Sequence, residues 1–215
     1  MTSLIPSPKG GMDAPAPSRM TGRSLAKASR RAALLDAAAQ LFAERGYNGV
    51  SIEDLGAAAG VSGPAVYRHF SGKPAVLAAL LAGVSSDLLD GGRAVVAESP
   101  TPDHALRGLI EFQVDFALRN ANVIRVQDRD LSSLAEEDQE TVRSLQRSYV
   151  EVWVDVLADR TPDSSRTQLR RKAHAAFGLI NSTPHTTHRR RSSRDTAELR
   201  QLLEDMAWAA LNVEA

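Results

Sequence analysis

The sequence predicts an all-α protein with a three-helix N-terminal part and a longer helical C-terminal part. Apolar residues recur at spacings of three and four along most of the chain, and no segment alternates as a strand would. Alanine is plentiful and aromatic residues make up only 5% of the chain, a composition that favours helices. Clusters of Gly, Pro and Ser separate the periodic segments. With 215 residues, the chain can bury a real core in one or two domains.

The first two predicted helices are separated by clear start and stop residues. An apolar stripe predicts the first helix at about residues 25–45, and Gly46 ends it. Ser51 is a candidate N-cap for the second helix, with Asp54 at the acidic position of a capping box. Gly60 can adopt the left-handed conformation that ends a helix.

A third short helix follows after a tight turn. Ser62 is its predicted N-cap, and Pro64 in the first turn loses no needed hydrogen bond. Val66 and Phe70 lie four apart and are predicted to point into the core. Small residues at the helix start, with polar and aromatic ones along it, suit the major groove of DNA. Packing and a solvated face are the alternative. The outward positions are Gly63, Ala65, Tyr67, Arg68 and His69.

These spaced elements resemble the N-terminal DNA-binding domain of the TetR family of transcriptional regulators. The resemblance covers about residues 30–80 and is carried by Phe42–Gly46, Gly60–Ser62, Val66–Phe70, and Lys73 with Leu77. It implies a helix-turn-helix DNA-binding domain at residues 27–75 and a helical ligand-binding and dimerisation domain at residues 76–215. The DNA-binding residues that it implies are Ser51, Ser62, Gly63, Pro64, Ala65, Tyr67, Arg68, His69 and Lys73.

The distribution of charge agrees with DNA at one end of the molecule. Residues 1–75 carry nine Lys/Arg and five Asp/Glu, a net charge of +4, and the rest carries −4 because the total is zero. Residues 1–26 are rich in Pro, Ser and Gly, so we expect a disordered basic arm. It is either an inert tail or, through Arg19, Arg23 and Lys27, a contact to phosphates or the minor groove.

The remaining sequence predicts six more helices and no internal repeat. Ser71 is the predicted cap of the fourth helix, which reaches about Leu89 and could persist to about Val96. A loop rich in Ser and Pro follows. The later helices are predicted at about residues 103–120 and 123–131, around Val142–Val156, around Leu169–Ile180, and at about 195–213.

The last two helices carry small and aliphatic residues at helical spacing. In the family, the last two long helices pack against their copies and form a four-helix dimer interface. The alternative is that these stripes close the core of the monomer. A two-fold dimer also suits DNA with two symmetric half-sites. The predicted interface residues are Ala173, Phe177, Ile180, Leu202, Leu203, Met206 and Ala210.

Bulky residues of the C-terminal part are candidates for an inducer pocket, with a role in the core as the alternative. Stretches at residues 123–153 and 175–185 resemble family members that control acyl-CoA and fatty-acid metabolism, so a hydrophobic acid or acyl-CoA is the expected effector. The basic run His188–Arg191 is either a solvated loop or a clamp for coenzyme A phosphates. The candidate ligand residues are Phe112, Phe116, Arg125, Arg129, Tyr149, Trp153 and Phe177.

Several other classes of protein find no support in the sequence. No run of apolar residues approaches the length of a membrane span, and no signal peptide is recognisable. Cysteine is absent, which fits a reducing cytoplasm. No nucleotide-binding loop or nucleophile motif occurs, so we expect neither an enzyme nor a cofactor. His185 and His188 have a spacing that metals use, but they lie in a polar loop and are not assigned as ligands.

We therefore expect a ligand-responsive transcriptional regulator, by family usage a repressor, that binds a palindromic operator as a homodimer. Its expected partners are double-stranded DNA and a small hydrophobic effector, with no membrane. A helical binding or scaffold protein without a role on DNA is the main alternative, and a helical enzyme is a weaker one. Loss of DNA binding with rising salt separates the first from the others, because it reports neutralised phosphates.

Overall fold

The computed structural model describes residues 22–182 and 193–213, and all regular elements in these ranges are helical. The all-α prediction is confirmed. The first helix begins at Gly22, so residues 22–26 are helical and not part of a disordered arm, while residues 1–21 lie outside the described ranges. The helices are α1 (Gly22–Arg45), α2 (Ile52–Ala58), α3 (Gly63–Val66), α4 (Lys73–Glu98), α5 (Pro102–Arg119), α6 (Ala121–Asp130), α7 (Glu136–Arg160), α8 (Arg166–Asn181) and α9 (Ser193–Leu211), with a 3₁₀ turn at Leu131–Ser133 between α6 and α7.

The turns around α2 follow the local chemistry of the sequence. Gly46 and Gly60 both have positive φ, at 79° and 69°, and end their helices as predicted. Ser51 and Asp54 form the predicted capping box: the Asp54 amide donates to Ser51 Oγ at 3.0 Å, and the Ser51 amide donates to Asp54 Oδ2 at 2.9 Å. These bonds hold the pKa of Asp54 below its ordinary value.

One predicted cap is correct in position but lacks its side-chain bond, and a second predicted cap is wrong. Ser62 occupies the N-cap position of α3, but its side chain makes no capping bond. The reason is local: Pro64 has no N–H to donate, and the Ala65 amide donates to the Ser62 carbonyl at 2.9 Å. At α4 the N-cap is Gly72, so Ser71 lies one residue outside the helix.

Two hydrophobic clusters share the long helix α4. Its first half packs with α1, α2 and α3 and with residues of α6 and early α7, which together form the head cluster. Its second half contributes Leu89 to the body cluster, which contains α5, most of α7, α8 and α9. The change from one core to the other therefore lies inside α4, between Leu81 and Leu89.

The helix α4 is long and apolar enough to match a membrane span by length and composition, with a mean hydropathy of 1.4. The sequence-based statement that no such run exists was therefore too strict. Its apolar residues Val76, Leu77, Leu80 and Leu81 are buried in the head cluster, so packing between two cores explains its composition.

Candidate DNA-binding face and ligand cavity

The third helix is short and continues as hydrogen-bonded turns. The Arg68 amide donates to the Ala65 carbonyl at 3.2 Å, and the His69 amide donates to the Val66 carbonyl at 2.9 Å. Val66 and Phe70 are buried, as predicted, and anchor this segment on the head cluster. Tyr67 lies between them and is 57% exposed, a high value for an aromatic side chain. The anchored turn therefore presents Tyr67 to the outside.

The predicted DNA-binding residues differ in how accessible they are. Ser51 is exposed, but its hydroxyl also donates to Asp54 Oδ2 at 2.6 Å and so serves the capping box. His69 is only half-buried, and its Nδ1 is enclosed without a hydrogen-bond partner in the described ranges. Ser62, Pro64, Tyr67 and Arg68 are exposed, whereas Gly63, Ala65 and Lys73 are half-buried.

Lys73 has an intramolecular role that the sequence did not indicate. Its Nζ donates to the Tyr47 carbonyl at 2.9 Å and lies 4.4 Å from the centroid of the Tyr47 ring. The side chain thus ties the start of α4 to the turn after α1. An ammonium group has three N–H donors, so two remain for a phosphate.

Basic residues of α1 extend the charge of this face. The Arg31 guanidinium lies 5.0 Å from the centroid of the Phe70 ring, which brings α1 beside the turn that carries Tyr67 and Arg68. Lys27 and Arg30 are exposed on the same helix. Exposed cations beside a short anchored helix can neutralise phosphates while the helix reads base edges.

A cavity of about 180 Å³ lies in the body of the molecule, enclosed by α4, α5, α6, α7 and α8. Three apolar side chains contribute to it, from Leu88, Val150 and Phe177. The other lining side chains are all polar, and sequence reasoning identified only the tyrosine among them. They are Ser85, Gln113, Gln127, Gln146, Tyr149, His174 and Asn181.

A buried chain of hydrogen bonds organises one wall of this cavity. The Tyr149 hydroxyl donates to Gln113 Oε1 at 3.1 Å, and Gln113 Nε2 donates to Asn181 Oδ1 at 3.0 Å. Burial raises the pKa of Tyr149, so the phenol stays protonated and keeps its role as donor. Gln113 is only 2% exposed, yet both ends of its amide are satisfied. This wall joins α5, α7 and α8.

The predicted aromatic ligand residues do not all reach the cavity. Tyr149 and Phe177 line it. Trp153 is fully buried in the body core, with its ring centroid 5.0 Å from that of Phe177. Phe112 and Phe116 pack against the same core, and Phe112 fills the space above Gly91. Trp153, Phe112 and Phe116 are therefore core residues, the alternative to a ligand role that the sequence left open.

The two predicted ligand arginines are not among the residues that line the cavity. Arg129 instead donates to the carbonyls of Phe42 and Ala43, near the C-terminal end of α1, and to Asp130 Oδ2 at 2.9 Å. The hydrogen bond with Asp130 raises the pKa of Arg129. Arg125, one turn earlier, is half-buried on α6. Arg129 therefore connects α6 with the head cluster and does not line this cavity.

The predicted dimer residues divide into three groups. Ala173, Ile180 and Leu203 are buried in the body core of a single chain, so they do not form a surface for a second copy. Phe177 lines the cavity and Ala210 is half-buried. Leu202 and Met206 are 54% and 46% exposed, which is unusual for large apolar side chains.

The predicted basic clamp and the histidine pair cannot be located among the described residues. His185, His188 and Arg189–Arg191 lie outside the described residues. Within residues 22–182 and 193–213, no group of three or more His, Asp or Glu side chains is placed to hold a metal ion.

Two protein-family models match the chain. The model described as bacterial regulatory proteins, tetR family, matches residues 34–80, which contain the capping box and the segment around Tyr67. The model described as tetracyclin repressor-like, C-terminal domain, matches residues 99–188, from α5 to beyond α8.

Curated relatives and solved structures agree with these matches. The HTH-type transcriptional repressor KstR2 of Mycolicibacterium smegmatis is 30% identical over 143 residues, which cover 64% of this chain and 68% of the relative. The HTH-type transcriptional activator FasR of the same organism is 28% identical over 173 residues, or 79% of this chain and 76% of the relative.

Among solved structures, a TetR-family transcriptional regulator from Bordetella parapertussis is 25% identical with a TM-score of 0.73, covering 86% of this chain and 97% of the other. The structure of AibR in complex with isovaleryl coenzyme A and operator DNA has a TM-score of 0.67 at 18% identity, covering 82% and 97%, and shows a likeness of fold.

Proposed function

Because this chain belongs to the TetR family of DNA-binding transcriptional regulators, which are not enzymes, we propose that it is a cytoplasmic repressor released from its operator by a small ligand. The observation that carries this proposal is the position of α6. That helix lines the cavity with Gln127 and, two residues later, holds the end of α1 through Arg129. One helix thus contacts both the ligand cavity and the DNA-binding head.

The DNA-binding step is assigned to the anchored turn after α3. Tyr67 and Arg68 are its exposed side chains and are proposed to reach base edges in the major groove. Lys73 and the basic residues of α1 are proposed to contact phosphates, which position the protein without reading sequence.

Two copies are proposed to bind a palindromic operator. Leu202 and Met206 expose apolar area on α9, and a two-fold axis through this face would bury it against its own copy. Symmetric half-sites in the operator would then match the symmetry of the protein.

Ligand response requires that the ligand bind one conformation better than the other. A ligand that contacts Gln127 changes the energy of α6, and Arg129 transfers this change to the carbonyls at the end of α1. The expected result is a different separation of the two α3 segments in the dimer, and a lower affinity for the operator.

A small hydrophobic effector is proposed, in the class of fatty acids and acyl-CoA thioesters. AibR, which shares the fold, was crystallised with isovaleryl coenzyme A and operator DNA. The relative KstR2 is a repressor whereas FasR is an activator, so the direction of regulation needs a direct measurement.

The test is a titration of labelled DNA from upstream of the coding gene, followed by fluorescence anisotropy at several salt concentrations. We expect saturable binding that weakens steeply with rising salt, because the protein would neutralise DNA phosphates and release their counterions. Reporter transcription in cells with and without the protein gives the direction of regulation. No binding at low salt would favour a helical scaffold protein instead.

A further inference from the structure

The lining of the cavity indicates which kind of ligand it can hold, an inference that rests on the proposed function. Within the described ranges, the lining contains no Lys, Arg, Asp or Glu. Its hydrogen-bonding groups are side-chain amides, two hydroxyls and the imidazole of the exposed His174. An ionised carboxylate held among such groups would give up hydration without gaining a Lys or Arg partner, which is unfavourable.

One donor in this lining has no partner. Nε2 of Gln146 is buried and forms no hydrogen bond within the described residues. An enclosed amide N–H without an acceptor is destabilising, and such groups are uncommon in folded proteins. A ligand that brings an acceptor oxygen to this position would satisfy it.

The neighbouring polar groups do not provide that acceptor. The Tyr149 hydroxyl and the Gln113 amide bond to each other and to Asn181. Ser85 Oγ donates to the Leu81 carbonyl at 2.8 Å on its own helix. The unmet requirement in the cavity is therefore one acceptor, located at Gln146.

The size of the cavity limits the length of the bound group. The cavity has a volume of about 180 Å³. That is below the usual range of ligand pockets, about 300–1,000 Å³. The apolar part of the lining, from Leu88, Val150 and Phe177, fits a short aliphatic group and not a long acyl chain.

We infer that the cavity takes a short, uncharged acyl group whose carbonyl oxygen accepts a hydrogen bond from Gln146 Nε2. The group can arrive as a small ester or as the acyl end of a coenzyme A thioester, because both present an uncharged carbonyl next to a short apolar chain. Within the class of effectors proposed above, the cavity therefore favours short acyl thioesters over free fatty acids and long-chain acyl groups.

The experiment is isothermal titration calorimetry on the full-length protein without DNA, with methyl butyrate, butyryl coenzyme A, sodium butyrate and palmitoyl coenzyme A as separate probes. At least one of methyl butyrate and butyryl coenzyme A, whose butyryl carbonyl is uncharged, should bind at least tenfold more tightly than butyrate and palmitoyl coenzyme A. Binding of methyl butyrate identifies a free ester as sufficient, and binding of butyryl coenzyme A alone identifies the thioester as the source.

The variant Gln146→Leu removes the donor and should weaken binding of the butyryl probe about tenfold. Gln168→Leu makes the same chemical change on α8, at a side chain that does not line this cavity, and should leave binding unchanged. Thermal melts of both variants establish folding, and Gln146→Glu, which offers an acceptor in place of the donor, is a second variant with the same expected loss.

Three results would overturn the inference: no binding of either butyryl probe, binding of butyrate or palmitoyl coenzyme A at equal or higher affinity, or unchanged affinity in folded Gln146→Leu. Operator binding is measured on the same preparations. If the wild type does not bind the operator, the proposed function is refuted. If it binds the operator but gives one of the three results above, only this inference is refuted.

Discussion

Replacing Gly92 by alanine should destabilise the protein, even though alanine is the better helix former. Gly92 lies inside α4, where a Cβ atom would stand 2.5 Å from Cε2 and 3.1 Å from Cδ2 of Tyr149. The Tyr149 ring cannot easily move away, because it packs against Trp153 and Phe177 at centroid distances of 6.4 and 5.6 Å. The change therefore overpacks the body core.

The magnitude follows from opposing terms. Helix propensity favours alanine over glycine by about 1 kcal/mol. Overpacking of a core is unfavourable by about 1–3 kcal/mol. A displaced Tyr149 would also lose its hydrogen bond to Gln113. Gln113 Oε1 is then buried without a donor, which is unfavourable by about 1–3 kcal/mol. The sum predicts a net loss of about 1–5 kcal/mol in the free energy of unfolding.

A matched control exists on the same helix. Gly83 is exposed, and a Cβ atom there would meet no atom within 4 Å. Gly83→Ala should therefore stabilise the protein by about 0.5–1 kcal/mol through helix propensity and a less flexible unfolded chain. Urea unfolding of both variants measures the difference in their free energies of unfolding. Both are measured at the same protein concentration, so that the extent of association does not differ between them. Equal stabilisation by the two substitutions would refute the reasoning.

Four further substitutions test the head, the link between head and body, and the dimer face. Tyr67→Ala should weaken operator binding by about 1–3 kcal/mol in anisotropy titrations, with unchanged stability because Tyr67 is 57% exposed; wild-type affinity would remove it from the interface. Arg129→Met should reduce stability by about 1–2 kcal/mol, a value lowered because the arginine side chain is 42% exposed, and should uncouple operator release from ligand binding; normal release would exclude this link. Met206→Glu should give a folded monomer in light scattering, whereas Leu203→Glu should unfold the chain by burying a charge; a dimeric Met206→Glu would exclude this face.

The local features of this protein were readable from the sequence because they depend on neighbours in the chain. The capping box of Ser51 and Asp54 needs residues three apart, and the turns at Gly46 and Gly60 need a residue that tolerates positive φ. The missing side-chain bond at Ser62 is also local, since Pro64 has no N–H to donate and the Ala65 amide donates to the Ser62 carbonyl instead.

The sequence predicted less well which side of a helix faces the core, because both sides of a buried helix can be apolar. Leu202 and Leu203 are adjacent and chemically identical, yet one is 54% exposed and the other 6%. The difference arises from which neighbouring helices cover α9, and the apolar stripe of α9 alone did not separate the two. The aromatic residues of the body posed the same ambiguity, and packing placed Trp153 in the core and Phe177 at the cavity.

The sequence by itself determined the all-α fold, the helix-turn-helix with its buried anchors Val66 and Phe70, and the family, since these depend on periodicity and short-range spacing. Only the tertiary structure decided where the cavity lies and what lines it. Its polar wall joins Gln113 and Asn181, which are 68 residues apart and carry no motif. The tertiary structure also showed that Arg129, predicted as a ligand residue, donates to the Phe42 carbonyl of α1, 87 residues away in sequence. The sequence could not indicate this bond, because the packing of α6 decides which carbonyl lies within reach of the guanidinium.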